Sequence, residues 1–199
     1  RKYSKIFYCK TTMRKKFIEV YDNILPKEIS DIIENLVLVD AAIPVYYTPN
    51  IAKGVISKEF HPAFGDTFYD PSKDIYKPYS HMFLEVVYRL GNALEMVIEG
   101  IMQGRIFIHL PSPIPGSDQK HIDTPDDHYV CLYYINDSEG DTIIFDDNGE
   151  ELQRITPKKG RIVFFEGSME HCSSRPETKT RAILNFNFQG YKFGKEKEN

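Results

Sequence analysis

Residues 129–188 read YVCLYYINDSEGDTIIFDDNGEELQRITPKKGRIVFFEGSMEHCSSRPETKTRAILNFNF. The stretch breaks into short β-branched and aromatic runs at Tyr129–Ile135, Thr142–Phe145, Glu150–Ile155, Arg161–Phe165 and Ala182–Phe188. Side chains of this kind suit a pleated, half-buried surface. Between the runs lie Asn136-Asp137, Asp147-Asn148-Gly149, Pro157 to Gly160, and Gly167-Ser168, residue types that accept the dihedrals of tight turns. A similar run, Arg105–Leu110, precedes the stretch. Short strands at regular spacing in one half of a chain indicate a barrel or jelly roll.

The other half reads differently. Lys16–Tyr21 alternates as a strand, and a helix is expected to open near Pro26, where a fixed φ is tolerated, with Ile29, Ile32, Ile33 and Leu36 on its apolar face. Met82, Phe83, Val86, Val87, Leu90, Ala93, Leu94, Val97 and Ile101 recur at helical steps and predict a second, longer helix covering a sheet. Residues 47–80 are rich in Tyr, Pro and Gly with little periodicity. A loop of that length is a lid or binding loop, or else packs over the sheet or is disordered. The expected fold is mainly β with packed helices (α+β): a double-stranded β-helix, or jelly-roll, core at about 105–190 with the N-terminal helices outside it. The expected organisation is a basic N-terminal extension at 1–15 and a single domain over 16–199.

The net charge of −4 gives no general pull toward nucleic acid. Arg1, Lys2, Lys5, Lys10, Arg14, Lys15 and Lys16 crowd the start without an acid. The aromatic residues among them show no regular spacing, so a solvated leader is favoured over a nucleic-acid or membrane arm. Cys9, Cys131 and Cys172 cannot pair evenly and form no CxxC, which argues against a disulfide framework. No apolar run approaches the ~20 residues of a membrane span, and no signal-peptide core follows the basic start. The expectation is a cytoplasmic protein without a membrane partner.

The chemistry concentrates at His121-Ile122-Asp123, with His171 fifty positions later and Arg181 ten beyond that. An extended backbone turns residues i and i+2 to one face, so His121 and Asp123 can reach one ion while Ile122 turns into the opposite layer. A jelly roll can return His171 to the same point. Two imidazoles and a carboxylate form the facial triad of non-heme Fe(II), which leaves roughly three positions open on an octahedral metal. A lone His-x-Asp is usually chance; the strand context, His171 and Arg181 raise it to a metal site. Zinc is the rival metal, but a zinc hydrolase gives no reason for a buried arginine at that spacing. Arg181 could instead be a surface residue like Arg175 and Lys179. Its place at the head of the most aromatic strand favours burial and a carboxylate partner.

These segments resemble the Fe(II)/2-oxoglutarate-dependent dioxygenases, nearest to their prolyl-4-hydroxylase-like branch. The resemblance rests on HIDTPDDHYVCLYYIND, GDTIIF, ITPKKGRIVFFEGSMEH and RAILNFNF, and on the opening FIEVYDNILPKEISDIIENL. It implies an oxidoreductase with His121, Asp123 and His171 as catalytic iron ligands and Arg181 on the distal carboxylate of 2-oxoglutarate. It also implies Tyr134 as a phenol on that carboxylate, and then Tyr133 faces the other layer. Fe(II), 2-oxoglutarate and O2 are the implied cofactor and cosubstrates, with ascorbate as a candidate accessory reductant. The implied reaction hydroxylates an unactivated C–H bond and releases succinate and CO2. Peptidyl proline leads the substrates, followed by another amino-acid side chain, a small metabolite and a nucleobase. Asp123 favours hydroxylation over halogenation. The family's Tyr-x-x-Gly before the His-x-Asp is replaced here by HLPSPIPGSDQ, and Ile183 stands where many relatives carry Ser or Thr. The lysine anchor usual in collagen-type enzymes is also absent. Arg175 and Arg181 have the Arg-x5-Arg spacing of nucleic-acid demethylases, but in those enzymes the pair lies much farther past the second histidine, so the match is read as chance; a nucleic-acid-modifying oxygenase stays one alternative. A non-oxidative metal-binding jelly roll of the cupin kind is the other.

Overall fold

The computed structural model describes residues 16–40, 42–48 and 63–192. The basic segment 1–15 and part of the expected loop, 49–62, lie outside the described residues. Strand β1 (Ile18–Tyr21) leads into helix α1 (Lys27–Glu34), which begins directly after Pro26. Then come β2 (Tyr46–Tyr47), β3 (Ala63–Asp70), β4 (Ile75–Tyr76) and helix α2 (Ser80–Ala93). The remainder is strand: β5 (Met96–His109), β6 (Tyr129–Tyr134), β7 (Thr142–Phe145), β8 (Glu151–Ile155), β9 (Ile162–Glu166), β10 (His171–Ser173) and β11 (Arg181–Lys192). The strands form two antiparallel sheets. The larger has the order β1-β9-β6-β11-β5-β3-β2, with β4 on β3, and the smaller the order β10-β7-β8. This is the expected mainly-β jelly roll. Among the described residues no helix is long and apolar enough to cross a membrane.

Strand periodicity sorts the buried side chains into two layers. Cys131, Tyr133, Leu184, Phe186 and Phe188 face the helices, where Ile33 of α1 and Phe83, Val86, Val87 and Leu90 of α2 cover them. Val130, Leu132, Tyr134 and Ile183 face inward, against Ile144, Ile155 and Phe165. Tyr133 and Tyr134 thus lie in opposite layers, as the alternation requires. Both faces of the central strands are covered, which explains why their sequences read as continuous apolar runs. Phe68 stands edge-on to Phe83 at 5.0 Å and to Phe186 at 5.7 Å. Each such buried ring contributes about 1.5–3 kcal/mol of transfer free energy. The turn Pro157–Gly160 is tied to α1 through Lys159, whose ammonium meets Asp31 and Glu34, each at 2.5 Å. Gly160 closes it at φ +78°, a conformation that L side chains rarely adopt.

Three expectations need correction. The second helix ends at Ala93; Val97 and Ile101 belong to β5, a strand of 14 residues. Their spacing fitted a helix, but Glu95 turns the chain through φ +52° and a β-branched segment broken by Gly100 and Gly104 follows. Such residues favour a strand over a helix. Second, much of 63–80 is not loop: β3 pairs with β5 inside the large sheet. Its alternation is masked because two of its inward positions are Ala63 and Gly65, which are small. Third, Ile122 is 42% exposed and covers nothing in an opposite layer. His121 forms only an isolated bridge, and the chain bends at Asp123.

Candidate active site

The site lies between the two sheets. On β5 the inward positions are Arg105, Phe107 and His109; on β11 they are Arg181, Ile183 and Asn185. Register opposes them directly, with Arg181 against His109, Ile183 against Phe107 and Asn185 against Arg105. The small sheet supplies Thr142 from β7 and His171 from β10, two strands paired to each other. All of these residues line one cavity with His121 and Asp123.

His121 and His171 are locked opposite each other, since each backbone N–H donates to the other's carbonyl at 3.0 Å. Their ring centroids are 4.7 Å apart. One ligand atom from each of His121, Asp123 and His171 lies within 4.8 Å of the others. Nδ1 of His121 faces the Gln119 carbonyl at 3.0 Å, and Nδ1 of His171 faces the Met169 carbonyl at 3.2 Å. A carbonyl can only accept, so each Nδ1 carries a proton, and the neutral ring then has its lone pair on Nε2, as a metal-ligating imidazole requires. Burial pushes the His171 pKa down to about 4, against the pull of Asp123, and so keeps the ring in its neutral, ligating form. Burial opposes the charge on Asp123 too, but Arg105, the two histidines and Asn185 outweigh it and hold the carboxyl well below the usual range. The donor set therefore fits a divalent metal: two imidazole nitrogens and one carboxylate oxygen converge in one cavity.

Arg181 is 2% exposed. Its Nη2 donates to Thr142 Oγ1 at 2.9 Å, and its Nη1 lies 3.4 Å from Nδ1 of His109. Its Nε is buried with no hydrogen-bond partner, and among the described residues no carboxylate forms an ion pair with it. Burial pushes its pKa down. Tyr134 is brought beside it but not into the cavity lining. The ring centroid lies 5.7 Å from the guanidinium carbon, and the hydroxyl donates to Thr142 Oγ1 at 2.6 Å, with the Ile155 carbonyl at 3.3 Å. Arg175 is buried near Gly116, whose carbonyl accepts its backbone N–H at 2.9 Å. It is not among the residues lining the cavity.

Three residues of the site escape the sequence reading. Arg105 ion-pairs with Asp123 Oδ1, and Asn185 donates to both oxygens of the same carboxylate, at 3.4 and 3.1 Å. Thr142 is the third. The available signal was polarity out of place: an arginine opening RIFIHL and an asparagine inside ILNFNF, both on strands that read as buried on two faces.

Residues 114–189 match the family model described as the 2OG-Fe(II) oxygenase superfamily. The fold is shared with solved structures of low identity. An oxidoreductase of the 2OG-Fe(II) oxygenase family from Burkholderia pseudomallei is 13% identical, with a TM-score of 0.61 over 86% of this chain and 84% of that one. A Pseudomonas putida prolyl-4-hydroxylase is 17% identical, with a TM-score of 0.58 over 86% and 91%. A Trichoplax adhaerens prolyl hydroxylase, in complex with a hypoxia-inducible-factor oxygen degradation domain peptide, is 17% identical, with a TM-score of 0.57 over 86% and 83%. Among curated proteins none matches the chain. The family match covers 114–189, the segment that carries His121, Asp123, His171 and Arg181, and the fold is shared with prolyl-hydroxylase-like enzymes, so the chain is similar to the oxidoreductases of the 2OG-Fe(II) oxygenase superfamily.

Proposed function

We propose that His121, Asp123 and His171 hold Fe(II), that Arg181 binds the distal carboxylate of 2-oxoglutarate, and that residues 16–199 act as one domain hydroxylating an unactivated C–H bond. The observation that carries this reading is Arg181: a buried guanidinium with an unpartnered Nε, in the cavity that also holds the three ligand atoms. A buried charge without an ion-pair partner costs several kcal/mol, and a dicarboxylate arriving in the cavity offsets that cost.

The residues divide the work. The two histidines would present Nε2 and Asp123 an oxygen, and these three residues would hold the metal. Fe(II) with 2-oxoglutarate and O2, when bound, supplies the oxidising chemistry, with succinate and CO2 as by-products and ascorbate as an accessory reductant. Arg181 offers parallel donors to a carboxylate. Thr142 Oγ1 already accepts from Arg181 and Tyr134, which leaves its own proton free to donate to the same carboxylate. Tyr134 thus serves the anchor by fixing Thr142. Ile183, Phe107 and Leu132 line the cavity with apolar surface and exclude water, which strengthens each polar contact inside.

The peptide in the Trichoplax complex supports a peptidyl residue, proline first, as the substrate class. The test is succinate release from 2-oxoglutarate with Fe(II), O2 and a panel of proline-containing peptides. Peptide-stimulated succinate with a mass gain of one oxygen on the peptide supports the proposal. Metal binding without any succinate points instead to a non-oxidative jelly roll.

A further inference from the structure

Asp123 meets protein partners on both oxygens, and the two are not equivalent. Oδ1 ion-pairs with Arg105. Oδ2 lies toward the histidines, 3.9 Å from Nε2 of His171, and Asn185 Nδ2 reaches both oxygens, Oδ2 at 3.1 Å and Oδ1 at 3.4 Å. Arg105 comes from β5, a strand held in register by β11 and β3 on either side. Its guanidinium carbon also stands 5.4 Å from the Phe107 ring centroid. The arginine is therefore fixed by the sheet, and the orientation of the carboxylate follows from it.

We propose that Arg105 is a positioning residue that holds Oδ1 of Asp123, so that the carboxylate offers only Oδ2 to the metal. This rests on reading His121, Asp123 and His171 as a metal site. A carboxylate without a partner on its outer oxygen can rotate and chelate through both. It would then take a fourth of the roughly six positions of an octahedral ion, leaving too few for a chelating cosubstrate and O2 together. A charge-assisted bond from a guanidinium opposes that rotation. Arg105 also places a positive charge beside the metal, so it keeps the site open at the expense of metal affinity.

The test uses Mn(II) as the probe, with EPR in 17O-labelled water to count bound waters and a titration to give Kd. Wild-type protein is expected to hold Mn(II) with about three waters. Arg105→Met should bind Mn(II) roughly tenfold more tightly, because a positive charge beside the cation is removed, and show one water fewer. Arg105→Lys should restore the water count by keeping a cation on a similar stem. Arg105→Gln, which keeps polarity and drops the charge, is the second neutral variant should Arg105→Met fail to fold; it too should bind more tightly. A merely structural arginine would give the opposite result: weaker Mn(II) binding in both neutral variants with the water count unchanged, which overturns the proposal. If wild-type protein binds no Mn(II) at this site while His121→Ala behaves identically, the underlying metal-site reading fails and the role of Arg105 falls with it.

Discussion

Replacing Arg181 by methionine separates the anchor from the metal, because the guanidinium touches Thr142 and His109 and none of the three ligand side chains. The lost interaction with 2-oxoglutarate is two parallel charge-assisted bonds at about 1.5–3 kcal/mol each. That is at least ~3 kcal/mol, or a loss of about a hundredfold or more in cosubstrate affinity. Stability should move the other way. Arg181 is buried without an ion-paired carboxylate among the described residues, so exchanging it for an apolar side chain of similar length removes a desolvated charge and should be neutral or stabilising. Isothermal titration of 2-oxoglutarate into the Mn(II)-loaded protein, with a thermal melt of each variant, reads both quantities. Arg181→Met is expected to raise the cosubstrate Kd by at least about a hundredfold, to leave the Mn(II) Kd unchanged, and to hold or raise Tm. Equal losses of metal and cosubstrate affinity, or a Tm drop like that of a broken ion pair, would refute the reasoning.

Tyr134→Phe removes the 2.6 Å bond to Thr142 and should weaken 2-oxoglutarate binding by up to roughly tenfold, the worth of about one hydrogen bond. A loss as large as that of Arg181→Met in the same titration would mean that the phenol touches the carboxylate itself. Gly104→Ala should destabilise the fold by about 1–3 kcal/mol, measured by urea unfolding, because a Cβ there would sit 2.5 Å from the Phe68 ring. An unchanged midpoint would show that β5 and Phe68 can part without cost. The metal-free protein should lose stability as pH falls from about 6.5 toward 4. His171 titrates near 4 in the fold against 6.5 ordinarily, so the unfolded chain binds the extra proton throughout that window. Asp123, whose pKa is lowered, loses its own contribution only below the ordinary carboxylate range and does not mask the effect. His171→Gln should flatten the slope of the unfolding midpoint against pH, and a slope that persists in the variant would contradict the assignment.

Much of this was legible in the sequence, and the failures have physical causes. Strands β6, β7 and β8 and the layer change between Tyr133 and Tyr134 followed from short β-branched runs and period-two alternation. His121, Asp123, His171 and Arg181 were named from the His-x-Asp spacing, the later histidine and arginine, and the family resemblance, and all four line one cavity. The end of α2 was misplaced because apolar residues three and four apart fit both a helix and the doubly covered strand β5. Strand β3 was hidden by its small inward residues. Arg105 and Asn185 were missed for a different reason: their significance lies in the β5–β11 register, which opposes them across one carboxylate, and no local pattern reports a register.

Anaerobic titration with Fe(II) and 2-oxoglutarate, followed by visible absorption, tests the central claim most directly. A weak charge-transfer band should appear only when both are present, vanish in His121→Ala and Asp123→Ala, and require far more 2-oxoglutarate in Arg181→Met. A band that survives His121→Ala and Asp123→Ala, or none in the wild-type protein at saturating Fe(II) and 2-oxoglutarate, would contradict the assignment of this cavity as the place where the two meet.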